Sequence, residues 1–226
     1  MKSKSRKNQK GFSLMELLIG MAVTLILLSV VSTLLSRAMS VRARESRKAD
    51  ALASAQAALN VMSREIGNAG FGIFMDSVSQ TPSNGIVYAD SNRSQIHLRS
   101  NFDNVGDYVI TSGSTVLATN LPGEDVTYFY DTNTKSIVRY DPHAATGMPK
   151  TSVIVNKISD VVFEYFNYTT SASTVTQTTS PTAGTGRVRI TVTVNLEQVV
   201  GQTNPEAVTF SSDVTLRNSS YMLSQY

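Results

Sequence analysis

Few residues of this 226-residue chain are equipped for chemistry, and the most suggestive spacing lies near its N-terminal end. Gly11, Phe12 and Glu16 fall within Lys10-Gly11-Phe12-Ser13-Leu14-Met15-Glu16, at the head of one long apolar run. A carboxylate in hydrocarbon costs at least about 2.5 kcal/mol even on lenient insertion scales, so it needs a cationic partner. Glu16 has none on its own helix face, and Lys10 lies on the other side of Gly11. If the chain is cut after Gly11, Phe12 acquires a free ammonium. That charge is available to Glu16 of a neighbouring copy or a related subunit. Hydrolysis of one peptide bond thus creates the counter-ion that assembly would use.

The remaining reactive groups make no constellation. There is no cysteine, which excludes disulfides, Cys-ligated zinc and thiol catalysis. His97 alternates with Ile96 and Leu98 and reads as a surface strand residue; His143 follows Asp141-Pro142 in a turn. Neither belongs to a metal-ligand spacing or a nucleophile–base set. Asp103 and Asp107 flank Asn104 and Gly106, but the spacing and terminal acid of a calcium loop are missing, so the segment reads as a loop. No phosphate-binding glycine loop occurs. The expectation is a chain that is not an enzyme and holds no cofactor or metal.

Glu16 must be carried by the apolar run. Phe12 to Leu35 is nearly all apolar, and Leu17 to Leu35 holds no charge. About twenty such residues span a bilayer core as a helix. Residues 1–10 are polar and basic, which orients the segment with its leader cytoplasmic and the remainder exported. A cleaved secretory signal fits less well, because the run exceeds the usual 7–15 residues and Arg37 directly follows Ser36 without a small-residue cleavage site. An uncleaved single-pass anchor leaves Glu16 unexplained.

The residues Gly11, Phe12 and Glu16 in Lys-Gly-Phe-Ser-Leu-Met-Glu-Leu-Leu-Ile resemble the type IV pilin and type II pseudopilin superfamily. The resemblance implies cleavage between Gly11 and Phe12 by a prepilin peptidase, and N-methylation of Phe12 by the same enzyme. It implies partners as well: other pilins or pseudopilins through the N-terminal helix, and an inner-membrane assembly platform. Residues 55–72, from Ala55 to Gly72, look like PilW-like minor pilins and the related J-type pseudopilins. The helix-kinking proline frequent in the family is absent, leaving Gly20 and Thr33 as mild substitutes.

No proline or glycine interrupts Met21 to Ile66, so helix can run from about Phe12 to Ile66, roughly 80 Å at 1.5 Å per residue. Arg42, Arg44, Glu45, Arg47 and Lys48 form a charged belt: a solvated face, or a contact with lipid headgroups or acids on a partner. Ala49, Leu52, Ala55, Leu59, Met62 and Ile66 then make one apolar stripe to lie against a sheet. Gly67-Asn68-Ala69-Gly70 ends the helix. Arg64 and Glu65 read as a surface ion pair.

From Gly72 onward the chain reads as β. Strands are expected at 85–89, 95–99, 107–111, 115–119, 126–130, 136–140, 153–156, 161–168, 186–196 and 207–217, many alternating apolar and polar residues. Thr169–Thr185, rich in Ser and Thr, reads as a flexible hairpin loop. The alternating aromatics from Tyr128 to Tyr130 and from Phe163 to Tyr168 read as core and rim.

The predicted fold class is α+β: a long N-terminal transmembrane helix, pilin-like, packed on an antiparallel β-sheet head. Its divisions are a leader (1–11), the transmembrane and assembly half of the helix (12–36), an amphipathic periplasmic half (37–70) and a β-rich head (71–226). The expected role is a PilW-like minor type IV pilin, with a J-type pseudopilin of type II secretion as the alternative. The location is the inner membrane, then a pilus or pseudopilus. A competence pilin that captures DNA is disfavoured by charge. The formal +3 contains five leader cations; without residues 1–11, fifteen Lys and Arg face seventeen Asp and Glu, a net of −2. A local patch of Arg93, Arg99, Arg187 and Arg189 is the feature that would favour it.

Overall fold

The computed structural model describes residues 11, 13–73, 84–103, 109–111, 114–116, 119–169, 172–196 and 206–224. One continuous helix, α1 (Leu14–Asn68), fills the N-terminal third. The chain divides into two compact units, with the boundary inside α1 between Ser46 and Arg47.

The second unit joins the end of α1 to antiparallel sheets. In chain order the strands are β1 (Gln95–Arg99), β2 (Val109–Thr111), β3 (Ser114–Val116), β4 (Asp125–Asp131), β5 (Ser136–Tyr140), β6 (Thr151–Asn156), β7 (Asp160–Thr169), β8 (Ala172–Thr178), β9 (Thr185–Leu196) and β10 (Glu206–Thr215). A short α2 (Ser220–Leu223) follows, capped by the Ser219 side chain. One four-stranded sheet has the order β1-β4-β5-β6, the other β10-β9-β7-β8, and β2 pairs with β3. The fold is therefore α+β, as predicted, with the sheet structure split in two.

The split follows from where apolar residues meet. Val188, Ile190, Val192, Val194 and Leu196 alternate along β9, placing one face in the core and Arg187, Arg189, Thr191 and Thr193 on the other. Phe163 and Tyr165 of β7 and Ile96, Leu98, Val126, Tyr128 and Ile137 of the first sheet join the same cluster. The two sheets are tied by polar contacts as well. Phe163 N–H donates to Arg93 O at 2.7 Å, and the buried Tyr165 hydroxyl donates to Asn92 O at 2.9 Å. Desolvation pushes that phenol's pKa well up.

α1 completes the core with Ala51, Ala55, Ala58, Leu59, Met62 and Ile66. The predicted stripe is thus rotated at its start: Ala49 and Leu52 are exposed, and Ala51 and Ala58 take their place. Spacings of three and four residues fit both choices. The sheet covers the row that contains Ala51, Ala55 and Ala58. Gly67 lies within van der Waals distance of Val214, and Ser63 meets Ser212 at 3.3 Å.

Two further expectations are corrected. Residues 85–89 are not a strand. The Asn84 carboxamide accepts from Ile86 N–H at 3.2 Å, forming a local turn; Ile86 makes a lone bridge to Leu98, and Tyr88–Asp90 curl into a 3-10 turn. The Ser/Thr-rich stretch 169–185 is not simply a loop, because Ala172–Thr178 is β8, an edge strand paired with β7. Threonine suits an exposed pleated edge, so low complexity there reflects β-propensity.

Candidate processing and assembly site

Helix α1 positions the N-terminal site. Ser13 O accepts from the backbone N–H groups of Glu16 and Leu17, at 3.0 and 3.2 Å, which opens the helix at Leu14. Glu16 falls in the first turn, where the helix dipole favours an acid. It is solvent-exposed, as is Gly11. Among the described residues, no atom lies within 4 Å of where a Cβ on Gly11 would stand, so none of them requires glycine at that position. Phe12 and residues 1–10 fall outside the described residues.

Around and beyond Glu16, the large apolar side chains from Leu14 to Val41 are 51–78% exposed, an apolar surface that no described residue covers. By length and composition this helix is able to cross a membrane. Its hydroxyls are turned inward to their own backbone: Thr24 donates to Gly20 O at 2.7 Å, Ser29 to Ile26 O, and Thr33 to Ser29 O at 2.8 Å. Such bonds satisfy polar groups without water, as hydrocarbon requires. Gly20 and Thr33 leave α1 unbroken.

The head holds polar clusters that sequence reading misplaced. His97 is buried, not on the surface. Its Nδ1 lies 3.0 Å from Asp90 Oδ2 and its Nε2 2.5 Å from Asp125 Oδ1. The carboxylates take opposite edges of the ring, so the three groups cannot converge on one ion. Among the described residues no group of three such side chains is placed to hold a metal. Asp125 also accepts from Arg99 Nε at 3.1 Å. Burial works to raise the Asp125 carboxyl, but the hydrogen bonds and charges of His97 and Arg99 outweigh it and hold its pKa below the ordinary range. His143 sits in a turn, as expected, its N–H donating to Asp141 Oδ1 at 3.0 Å. Asp107 lies outside the described residues.

Glu65 is not paired with Arg64, its sequence neighbour. Adjacent helix residues point apart. Glu65 instead faces the first sheet, accepting from Tyr128 Oη at 2.8 Å and from Arg139 Nε at 3.2 Å. Burial, then Glu65, drives the Tyr128 phenol far up in pKa. Arg139 continues to Asp141 at 3.3 Å, which also accepts from the N–H groups of Gly123 and His143. Glu124, almost wholly buried, clamps two loops by accepting from the N–H groups of Phe102 and Leu121 at 2.7 and 3.0 Å. In the sequence Glu124 stood only as part of a Pro-Gly-Glu-Asp turn, with no signal of burial.

Of the four arginines suggested as a patch, Arg187 and Arg189 share the Phe166 ring, Arg189 at 5.2 Å from its centroid, while Arg99 and Arg189 are each engaged by a carboxylate. Arg99 pairs with Asp125, and Arg189 pairs with Asp213 across β9 and β10. Arg187 lies over the Phe166 ring, 4.1 Å from its centroid.

Residues 6–32 match the family described as the prokaryotic N-terminal methylation motif, a segment that includes Gly11, Phe12 and Glu16. No curated protein and no solved structure matches the chain. The motif is one of structural subunits that are processed by a prepilin peptidase and assemble with other pilins. Joined to an apolar helix long enough to span a bilayer, it supports a protein of the type IV pilin and pseudopilin superfamily.

Proposed function

We propose that this chain is a minor type IV pilin, most like the PilW group, cut between Gly11 and Phe12, methylated on the new Phe12 amine, and built into or priming a pilus through α1. The observation that carries this reading is the run of Gly11, Phe12 and Glu16 ahead of, and in the first turn of, an unbroken helix whose next roughly five turns are uncharged and exposed. Glycine at 11 is unexplained by packing, and a protease subsite that admits only a minimal side chain supplies the missing reason. Cleavage removes five cations and leaves an ammonium on Phe12. Glu16 of an adjacent subunit neutralises it, so only processed chains offset the cost of burying that carboxylate. The chemistry belongs to the peptidase; this chain contributes substrate, helix and head.

Mass spectrometry of the protein recovered from cells tests the reading. The expected N-terminal peptide begins at Phe12 and is heavier by one methyl group. An N-terminus anywhere else defeats it. A deletion strain then separates the assemblies: loss of surface fibres marks the pilus, and loss of exoprotein export marks the type II pseudopilus.

A further inference from the structure

Two lysines share an unusual backbone and a common groove. Lys135 (φ +50°) and Lys157 (φ +61°) are the two non-glycine residues in the left-handed region among the described residues. Lys135 closes the turn between β4 and β5, and its carbonyl accepts from Ile158 N–H at 3.0 Å. Lys157 ends β6. Glycine or asparagine takes this conformation more readily than lysine does. Local folding therefore gives no reason for lysine at either place. Both are exposed, and both line a groove of about 910 Å³ with Arg47, Ser54, Asn156 and Ser159. Ala51, Ile158 and Leu196 give it an apolar floor. Asp50 is the acid in the lining. Asp131 nearby is engaged by Asn133 N–H and Thr134 Oγ1 of its own turn, and Asp160 lies just beyond Ser159.

We propose that this groove docks an acidic peptide segment of another protein subunit, with Lys135 and Lys157 receiving its carboxylates. The inference rests on the reading of this chain as an assembled subunit. The size and mixed lining suit a peptide of several residues better than a single ion. Polyanions such as DNA suit it poorly. From Arg47 onward the chain carries twelve Lys and Arg against fifteen Asp and Glu, a net of −3 that repels an extended phosphate backbone. Lipid surfaces suit it poorly too, because the same net of −3 repels anionic headgroups.

The left-handed backbone supplies an unusually clean test. Lys135→Gly with Lys157→Gly removes both charges while relieving the backbone, so the double variant should melt no lower than the parent. Full-length protein in zwitterionic nanodiscs would be titrated with a hexaglutamate peptide. Leader cations contribute equally in every variant, so the readout is the difference between variants. Each exposed pair is worth roughly three-fold in affinity, giving about ten-fold weaker binding for the double variant. Lys150→Gln, removing a cation outside the groove, should leave binding within about two-fold of the parent. Equal loss in Lys150→Gln and the double variant would reduce the effect to net charge and overturn the proposal. So would unchanged peptide affinity in the double variant, or a loss seen only for phosphatidylglycerol nanodiscs or only for duplex DNA. None of these outcomes touches the Phe12 N-terminus, so the groove and the processing reading fail separately.

Discussion

Replacing Glu65 with alanine should loosen α1 from the first sheet, by an amount the structure allows to be worked out. The carboxylate has two partners, the Tyr128 hydroxyl at 2.8 Å and Arg139 Nε at 3.2 Å. A hydrogen bond to a charged group contributes about 1.5–3 kcal/mol when well buried. Here the Arg139 and Glu65 side chains are 19% and 24% exposed, which places the ion pair between a surface pair, worth up to about 1 kcal/mol, and a buried one that costs about 3–5 kcal/mol to break. Arg139 keeps Asp141 after the substitution, so its charge is not orphaned. Tyr128, by contrast, is fully buried and its hydroxyl loses the partner recorded here. The sum is about 2 kcal/mol of destabilisation. Glu65→Gln keeps an acceptor for Tyr128 and should cost about 1 kcal/mol or less. Urea unfolding of the full chain in non-ionic detergent, followed by tyrosine near-ultraviolet circular dichroism, measures both. The chain has nine tyrosines, all from Tyr88 onward, and no tryptophan, so the signal reports on unfolding of the head. If Glu65→Ala changes the unfolding free energy by less than about 0.5 kcal/mol, the carboxylate does not couple helix to sheet. If the glutamine variant is as damaging as alanine, charge rather than hydrogen bonding holds the contact.

Gly85→Ala should be among the most damaging single changes, costing more than about 3 kcal/mol, because a Cβ there would stand 2.0 Å from Gly70 N and 2.4 Å from Arg99 O; loss of folded protein on expression, rescued by no mild condition, is the expected result. Acid should weaken the head through Asp125. Its folded pKa is lowered, so its contribution is complete above the unfolded value of about 3.9 and disappears as pH falls through the lower folded value. Asp125→Asn should flatten the acid limb of stability measured by urea midpoints between about pH 5 and pH 3. Glu16→Gln should leave cleavage after Gly11 intact while abolishing incorporation into fibres, scored by the N-terminal peptide mass and by the protein's presence in sheared surface material. A variant still incorporated at the parental level would remove Glu16 from assembly.

The order of elements was readable because it depends on local chemistry. An uncharged run from Leu17 to Leu35, the absence of helix breakers to Ile66, and glycines at 67 and 70 dictate a long helix and its end. Strict alternation along β9 dictates a strand with one buried face, whatever it meets. Gly11, Phe12 and Glu16 form a linear motif and need no fold to be recognised.

What depended on distant partners was not readable. Ala51 and Ala58 displaced Ala49 and Leu52 because the sheet's shape, not helical periodicity, chose which of two neighbouring rows was covered. His97 looked like a surface strand residue until Asp90 and Asp125, seven and twenty-eight positions away, closed on its two nitrogens. Glu65 found Arg139 seventy-four residues later instead of its neighbour. In each case the identity of the partner depended on strand register, which only the assembled sheets fix. The processing motif stands at the other extreme. Residues 6–32 match as a linear motif, so the sequence alone makes it legible, and the tertiary structure adds only that no described residue packs against Gly11.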